Sequence, residues 1–428
     1  MKHPTRSIAS VSLVVILLLA ACGQAPAASP SGPAASPSGP AGSPSQSDGA
    51  SGDPVKVALI TDSAGSTSLF GVANINGARL AVEQLNADGG VLGRPVELLV
   101  RDSQSNPEVG VQLARDAILR DEVSAIFGPV SSAVAAAMTE VAAENSTPIF
   151  FHTSNTQRLT TELFHEYAFQ VGPNTTMEGR GNAISLADSG HQRWAIIAPD
   201  YEFGHLQAEA FVAKLQELNP DVEIVNEAFP PLGEKDFTPY ITTLLAAEPD
   251  AVYGSLFAGD LVAFTRQAAP LGFFDEVFFT SLYETDALRA LGADAPEGVR
   301  GYSRAPFFAI ESDTIDAFID DYRNAYGTYP SDWAIMAYDA VMLWAAGVEA
   351  AGDLDPDALV AALEGFEFDS LRGPVTIRAE DHQASVSVYS GIVTQDPDIG
   401  FATWTDVESI PGEDVWLTEE EVVEQQGP

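Results

Sequence analysis

The chain has 428 residues, of which 46% are apolar, so it can build the cores of two or three domains and is no small cross-linked fold. It carries 61 acidic residues against 20 basic ones, a formal charge of -41 at pH 7, and such a balance repels nucleic acid and anionic headgroups. That charge fits either a protein bathed in concentrated salt, where screening removes self-repulsion, or an ordinary acidic secreted protein. One cysteine in the whole sequence excludes a disulfide within the chain.

Lys2 and Arg6, an apolar run from Val11 to Leu19, and the small residues Ala20 and Ala21 make the three parts of an export signal. The run is short for a membrane span, and no later segment is read as one. Leu19-Ala20-Ala21-Cys22 resembles a bacterial lipobox. That resemblance implies a lipoprotein signal peptide over residues 1–21 and a lipid on Cys22 that holds the protein to the outer side of the cell membrane. Residues 22–53 are built from Ala, Pro, Ser and Gly and include AASPSGP twice in tandem, at 27–33 and 34–40. Such a segment cannot bury enough surface to offset its ordering, so it reads as a flexible tether, and folded structure is expected from about residue 54.

From Val55 onward, short runs rich in Val, Ile and Phe alternate with helix-length segments. VKVALIT (55–61) is followed by an amphipathic stretch from about Gly71 to Asn86, with Ala73, Gly77, Leu80, Ala81 and Leu85 on one face. VELLV (96–100), a helix from about Pro107, SAIFG (124–128), a helix from about Ser132 and PIFFH (148–152) continue the rhythm. RWAIIAP (193–199) opens a second set with VEIVNEAF (222–229), AVYGSLF (251–257) and VFFTSLY (277–283), separated by helices starting near Gly204, Phe237 and Leu261. Alternation of this kind predicts parallel sheets with helical crossovers, here in two α/β lobes. Helices near Thr314–Tyr326, after Ser331 and near Pro356–Leu363 follow, then two strand-like stretches. The acidic tail, residues 416–428, is expected to fray.

Most catalytic signatures fail. The chain has no phosphate-binding G-x(4)-GK[ST] loop, no G-x-S-x-G elbow, no paired-histidine zinc motif, and no metal spacing among its six histidines, so neither a cofactor nor an enzyme is expected. What remains lies in the loops after the strands, where open parallel sheets bind ligands. Ser131 and Ser132 follow Gly128-Pro129 and start an alanine-rich helix. One of them reads as the helix N-cap, and the same free amides and hydroxyls suit a carboxylate. Thr153, Ser154 and Asn155 repeat the arrangement after the next strand. Phe70, Phe203, Phe257 and Tyr283 sit at loop-to-helix junctions and are candidate walls, while Glu284, Asp260 and Asp62 are candidates for a ligand ammonium.

NGARLAVEQLNADGGVLGRPVELLV, DEVSAIFGPVSSAVAAAMTEVAAENSTPIF, YEFGHLQAEAF and GEKDFTPYITTLLAAEPDAVY together resemble the solute-binding lipoproteins and periplasmic proteins of branched-chain amino acid ABC importers, from about Val55 to Ile392. The resemblance implies the type I periplasmic-binding-protein fold, two Rossmann-like α/β lobes joined by a three-segment hinge that close on a small solute. It places crossings near 170–174, 301–307 and 376–381, lobe one at 54–172 plus 304–377, and lobe two at 173–303 plus 378–415. It further implies a monomeric receptor that hands its solute to a membrane permease. The solute's carboxylate would lie on Ser131 or Ser132 and on Thr153, Ser154 and Asn155. An ammonium would meet Glu284, beside Tyr283, and aromatic walls would come from Phe70, Phe203 and Phe257. Family members often carry tyrosine where this chain has Phe70 and Phe203, and phenylalanine cannot donate a hydroxyl proton. The expected solute is therefore a branched-chain, aromatic or other apolar amino acid, with amide, urea-like or aromatic carboxylate solutes as the alternative. A sensory receptor of the same architecture is the alternative to transport.

Overall fold

The computed structural model describes residues 52–64 and 67–426. The stretches read as a signal peptide, a lipidated Cys22 and a tether, up to residue 51, lie outside the described residues.

The first lobe begins with β1 (Val55–Thr61), whose side chains are almost all buried, and α1 (Ser68–Ala87). It continues with β2 (Val96–Asp102), α2 (Pro107–Leu119), β3 (Ile126–Phe127), α3 (Ser132–Glu144), β4 (Ile149–Phe151) and β5 (Ala168–Gln170). The strands form a five-stranded parallel sheet in the order β2-β1-β3-β4-β5. Helices cover both faces, which is why β3 and β4 read as unbroken apolar runs and β1 as one interrupted only by Lys56 before its closing Thr61.

The second lobe runs through α4 (Thr175–Leu186), β6 (Arg193–Ile197), α5 (Glu202–Leu218), β7 (Glu223–Ala228), α6 (Thr238–Ala246) and β8 (Ala251–Gly254). It goes on with α7 (Ala258–Ala268), the single turn α8 (Phe273–Glu276), β9 (Phe278–Ser281), α9 (Thr285–Leu291) and β10 (Arg300–Ser303). The chain then returns to the first lobe as α10 (Ile315–Tyr326), α11 (Asp332–Ala351), α12 (Pro356–Leu363) and the two-stranded ribbon β11 (Glu367–Ser370) and β12 (Gly373–Thr376). Finally β13 (Val388–Asp396) and β14 (Phe401–Ile410) add antiparallel edges to the second sheet, giving β14-β13-β10-β9-β8-β6-β7.

The third crossing falls later than the sequence suggests. Gln383 still pairs beside Gln170, and Ala384 N–H donates to the Gln170 carbonyl at 2.9 Å, so the chain stays with the first sheet until it enters β13 at Val388. The Gln383 side chain stitches this crossing to the first one, donating to Gly172 O at 2.9 Å and accepting from Asn174 at 3.1 Å. Nearby, Arg372 and Asp339 form a fully buried pair at 2.9 Å, and Arg372 also reaches Val171 O at 3.1 Å.

The acidic end of the chain is folded. α13 (Glu419–Gln426) docks through Val422, with Val415 and Leu417 buried before it, and Glu421 pairs with Arg180 of α4. Three apolar side chains at suitable spacing outweigh the charge that made this segment look frayed. One helix among the described residues, α11, is long and apolar enough to cross a membrane, but Trp333 and Trp344 place it in the core against α1. Gly77 makes that helix contact possible, because a β-carbon there would sit 2.0 Å from the Ala334 carbonyl oxygen. Replacing Gly77 with alanine should therefore destabilise the protein by about 1–2 kcal/mol in urea unfolding, the overpacking exceeding the gain in helix propensity.

Candidate functional site

In each lobe the strand order reverses once, at β1/β3 in the first sheet and at β6/β8 in the second. A crevice opens beyond the carboxyl ends of the strands at such a point. The loops after β1, β2, β3 and β4 bring Thr67, Ser105, Ser131, Ser132, Thr153 and Asn155 to one side of a cavity of about 240 Å³. The loops after β6, β7, β8 and β9 bring Tyr201, Phe203, Leu232, Phe257 and Leu282 to the other. Val130, Phe70 of α1, Trp333 of α11 and Arg304 of the second crossing complete it. One wall is thus mostly hydroxyl and amide, the other mostly ring and alkyl.

Gly128 shapes the polar wall. It has φ 99°, and a β-carbon would lie 2.1 Å from Ile60 O, so only glycine lets the end of β3 lie against β1 and aim the serines into the crevice. Ser131 occupies the N-cap position of α3, but its hydroxyl makes no capping bond. Its amide donates to Asp62 Oδ2 at 2.7 Å. The following amides of the first turn have no carbonyl ahead of them in the helix, and they point along the positive end of its dipole. Asp62 is fully buried and also accepts from Ser105 N–H at 3.0 Å and from the Ser103 hydroxyl. It ties two lining loops together instead of meeting a ligand. Asp260 likewise accepts from Gly233 N–H at 2.8 Å.

Thr153 lines the cavity, yet its hydroxyl donates to Asn74 Oδ1 at 3.1 Å and contacts His152 Nδ1 at 2.9 Å. Burial, with the Arg372 charge, pushes the His152 pKa down to about 3, so the ring is neutral beneath the loop. Ser154 is buried behind the surface, its amide bonded to Pro129 O at 3.1 Å and its hydroxyl without a protein partner. Asn155 donates to Glu178 Oε2 at 2.7 Å.

Arg304 was not visible as a site residue in the sequence. Its guanidinium donates to both oxygens of Glu178, at 2.7 and 3.2 Å, and to Thr153 O at 2.6 Å, and lies 5.2 Å from the Trp333 ring centre. Two of its five N–H groups remain for the cavity. Among the described lining residues it is the one charged side chain.

The expected aromatic walls gather as three rings. Phe70 lies 4.0 Å from Trp333 and 5.8 Å from Phe257, and Phe203 meets Phe257 edge-on at 5.6 Å, all between ring centres. Tyr283 and Glu284 stand apart from the cavity. The Tyr283 hydroxyl is 2.9 Å from Thr265 Oγ1, and Glu284 caps α9 by accepting from the amides of Asp286 and Ala287. Capping consumes the carboxylate that the sequence offered to an ammonium, and Leu282 lines the cavity in its place.

Comparison with known proteins agrees with this architecture. A Leu/Ile/Val-binding protein of Rhizobium johnstonii is 29% identical over 75% of this chain and 87% of its own length. A solute-binding protein of an ABC transporter from Rhodopseudomonas palustris, solved with 3,4-dihydroxybenzoic acid, superposes with a TM-score of 0.76 at 24% identity, over 84% of this chain and 97% of that one. Another from R. palustris, solved with benzoate, gives 0.74 at 21% identity, over 84% and 97%. The model of the periplasmic binding protein family matches residues 54–396, so the two lobes, the crossings and the crevice between them are those of a non-catalytic solute binder, and the chain belongs to that family.

Proposed function

We propose that this protein is the extracytoplasmic receptor of an ABC importer and that its solute is a small aromatic carboxylate, not an α-amino acid. The observation that carries the choice of solute is the charge of the cavity wall: Arg304 is its one charged residue among those described, and no carboxylate lines it. An α-amino acid would bring an ammonium with no anionic partner, and an unpaired buried charge costs several kcal/mol. A benzoate-like anion needs only donors at one end and flat apolar surface around its ring. Ser131, Ser132, the first amides of α3 and the free N–H groups of Arg304 supply the donors. Phe70, Phe203, Phe257, Leu232 and Leu282 supply the apolar surface. Thr153 and Asn155 hold the loop, and Ser154 packs behind it. The two R. palustris proteins, which carry benzoic acids, support the same reading.

In this reading the N-terminal segment exports the protein, Cys22 carries a lipid, and the closed receptor meets a permease. Charge-assisted bonds of about 1.5–3 kcal/mol each, offset by the cost of association, lead to an affinity near micromolar, about -8 kcal/mol.

Calorimetry with benzoate, 4-hydroxybenzoate, 3,4-dihydroxybenzoate and leucine tests the solute class. The aromatic acids should bind at least about tenfold tighter than leucine, a 1.4 kcal/mol difference; tighter binding of leucine would overturn the choice. Replacing Ser131 and Ser132 together with alanine should weaken benzoate binding by about tenfold or more while leaving the melting temperature nearly unchanged. The Arg304–Glu178 pair makes a separate prediction. Arg304→Met alone strands a buried carboxylate and should cost about 3–5 kcal/mol of stability, whereas Arg304→Met with Glu178→Gln should recover most of it and still fail to bind benzoate.

A further inference from the structure

Beside the cavity wall, α9 of the second lobe meets the start of α11, and three carboxylates are buried at the junction. Glu284 and Asp332 are fully buried and Asp286 is nearly so. Asp332 accepts from the Thr285 hydroxyl at 2.9 Å across the lobe boundary, and its other oxygen accepts from Ser303 and, at 3.1 Å, from Ala305 N–H in the second crossing. Asp286 pairs with Arg289 at 2.6 Å, but its second oxygen makes no well-formed hydrogen bond and has the Ser331 hydroxyl as its near neighbour, and Arg289 Nε beside it is also unpaired. These three residues line a second cavity, of about 220 Å³, that lies between α1, α9 and the segment before α11.

The surrounding charges do not balance the cluster. Arg289 is its one close cation, and it also donates to Tyr329 O at 2.9 Å and lies over Phe401. Tyr322 of α10 contributes a neutral phenol, held up by burial at about 12, and Arg323 stacks on Tyr329. Arg266 of α7 is turned to Asp294 at 3.1 Å, and Arg304 is committed to Glu178. Three buried carboxylates face one partly exposed guanidinium, which leaves negative charge that burial penalises unless a proton is taken up.

We propose that Glu284 and Asp286, packed beside the Asp332 carboxylate, form a proton-binding site at the lobe junction, so that the lobes close more readily as the pH falls. The inference rests on the receptor reading in needing lobes that open, and it is independent of which solute is bound. Burial raises the Glu284 carboxyl well above the ordinary range, with Asp286 and Asp332 adding to the effect. Burial lifts Asp286 to about 6 against the pull of Arg289. Carboxyls whose pKa is higher in the closed form bind more protons there than in the open one. The penalty on closure is therefore full above the raised values and disappears as pH falls toward the ordinary carboxylate range.

The test uses the solute-free protein, with lobe separation followed by small-angle X-ray scattering and stability by thermal melting, between pH 8 and pH 5.5. The closed-to-open ratio should rise about fourfold from Asp286 alone, and further with Glu284. Glu284→Gln keeps an acceptor for the α9 amides but has no proton to gain, so it should be more closed at pH 8 and show a flattened profile. Asp286→Asn should flatten it in part. A wild-type protein equally open at both pH values would overturn the proposal, as would variants that keep the full wild-type pH profile. Should Glu284→Gln fail to fold, Asp286→Asn decides by the same criterion. Because no solute is present, failure of benzoate to bind would bear on the solute assignment alone.

Discussion

The buried contact between Arg304 and Glu178 is the constraint on which the rest of this molecule depends. Arg304 lies in the second crossing between lobes, Glu178 in the first turn of α4 just past the first crossing, and both are almost entirely removed from water. A charge in that position is tolerated only with a partner in good geometry, and here each group satisfies the other while a third bond reaches Thr153 O. Asn155 joins from the same loop through Glu178. The polar loop of the first lobe, the hinge and the start of the second lobe are therefore one hydrogen-bonded unit. Any solute anion that engages the cavity face of Arg304 acts on all three at once.

Around that unit the lobes divide their labour. Both present loops at the switch point of a parallel sheet; the first lobe offers most of the amides and hydroxyls along with Phe70, Val130 and Trp333, and the second offers mainly rings and aliphatic chains. In the proposed binding mode the first lobe would hold the anion and meet part of its ring through Phe70 and Trp333, and the second lobe would complete the apolar cover. Affinity that differs between open and closed forms is what moves the equilibrium between them, and an uneven distribution of chemistry across the cleft is a direct way to obtain it. Glu202 reinforces closure at the rim, bonding Thr156 at 2.5 Å and Arg158 at 3.0 Å from across the cleft.

The parts of this fold that the sequence makes legible are those governed by local pattern. Strands β1 to β4 and β6 to β9 follow from apolar runs, whereas β5 (AFQ) and β10 (RGYS) are too short and too polar to show as such runs; Ser131, Ser132, Thr153, Asn155, Phe70, Phe203 and Phe257 lie at the loops and helix starts that follow those runs. α4 is harder to read because Met177, Ala183 and Leu186 are buried together with polar and small residues, Thr175, Thr176, Gly179, Gly181 and Asn182; a β-carbon on Gly179 would lie 2.8 Å from Gln207 O of α5, and one on Gly181 3.1 Å from Val388 Cβ of β13. No hydrophobic periodicity marks such a face. The site assignments at Glu284 and Asp62 depend on which hydrogen-bond partners a carboxylate finds, and those partners come from residues distant in sequence or from backbone amides. Arg304 and Trp333 enter the cavity from the returning chain, so their roles exist only once the hinge has brought that chain back.

A protein of charge -41 that captures an anion presents an apparent contradiction, and the geometry resolves it by range. Over distances beyond about 8–10 Å, salt screens the repulsion between the acidic exterior and an approaching carboxylate. Inside the crevice, in the proposed binding mode, water would be displaced and short-range terms would dominate: the start of α3, the serine hydroxyls and the N–H groups of Arg304 that Glu178 and Thr153 O leave unused. Asp62 sharpens the point, since it is fully buried close to the polar wall yet is saturated by Ser103, Ser105 and the Ser131 amide. Its charge is spent on those donors, which in the proposed mode would leave the next amides of the helix for the solute. The exterior charge then governs how fast an anion arrives, and the local donors govern how long it stays.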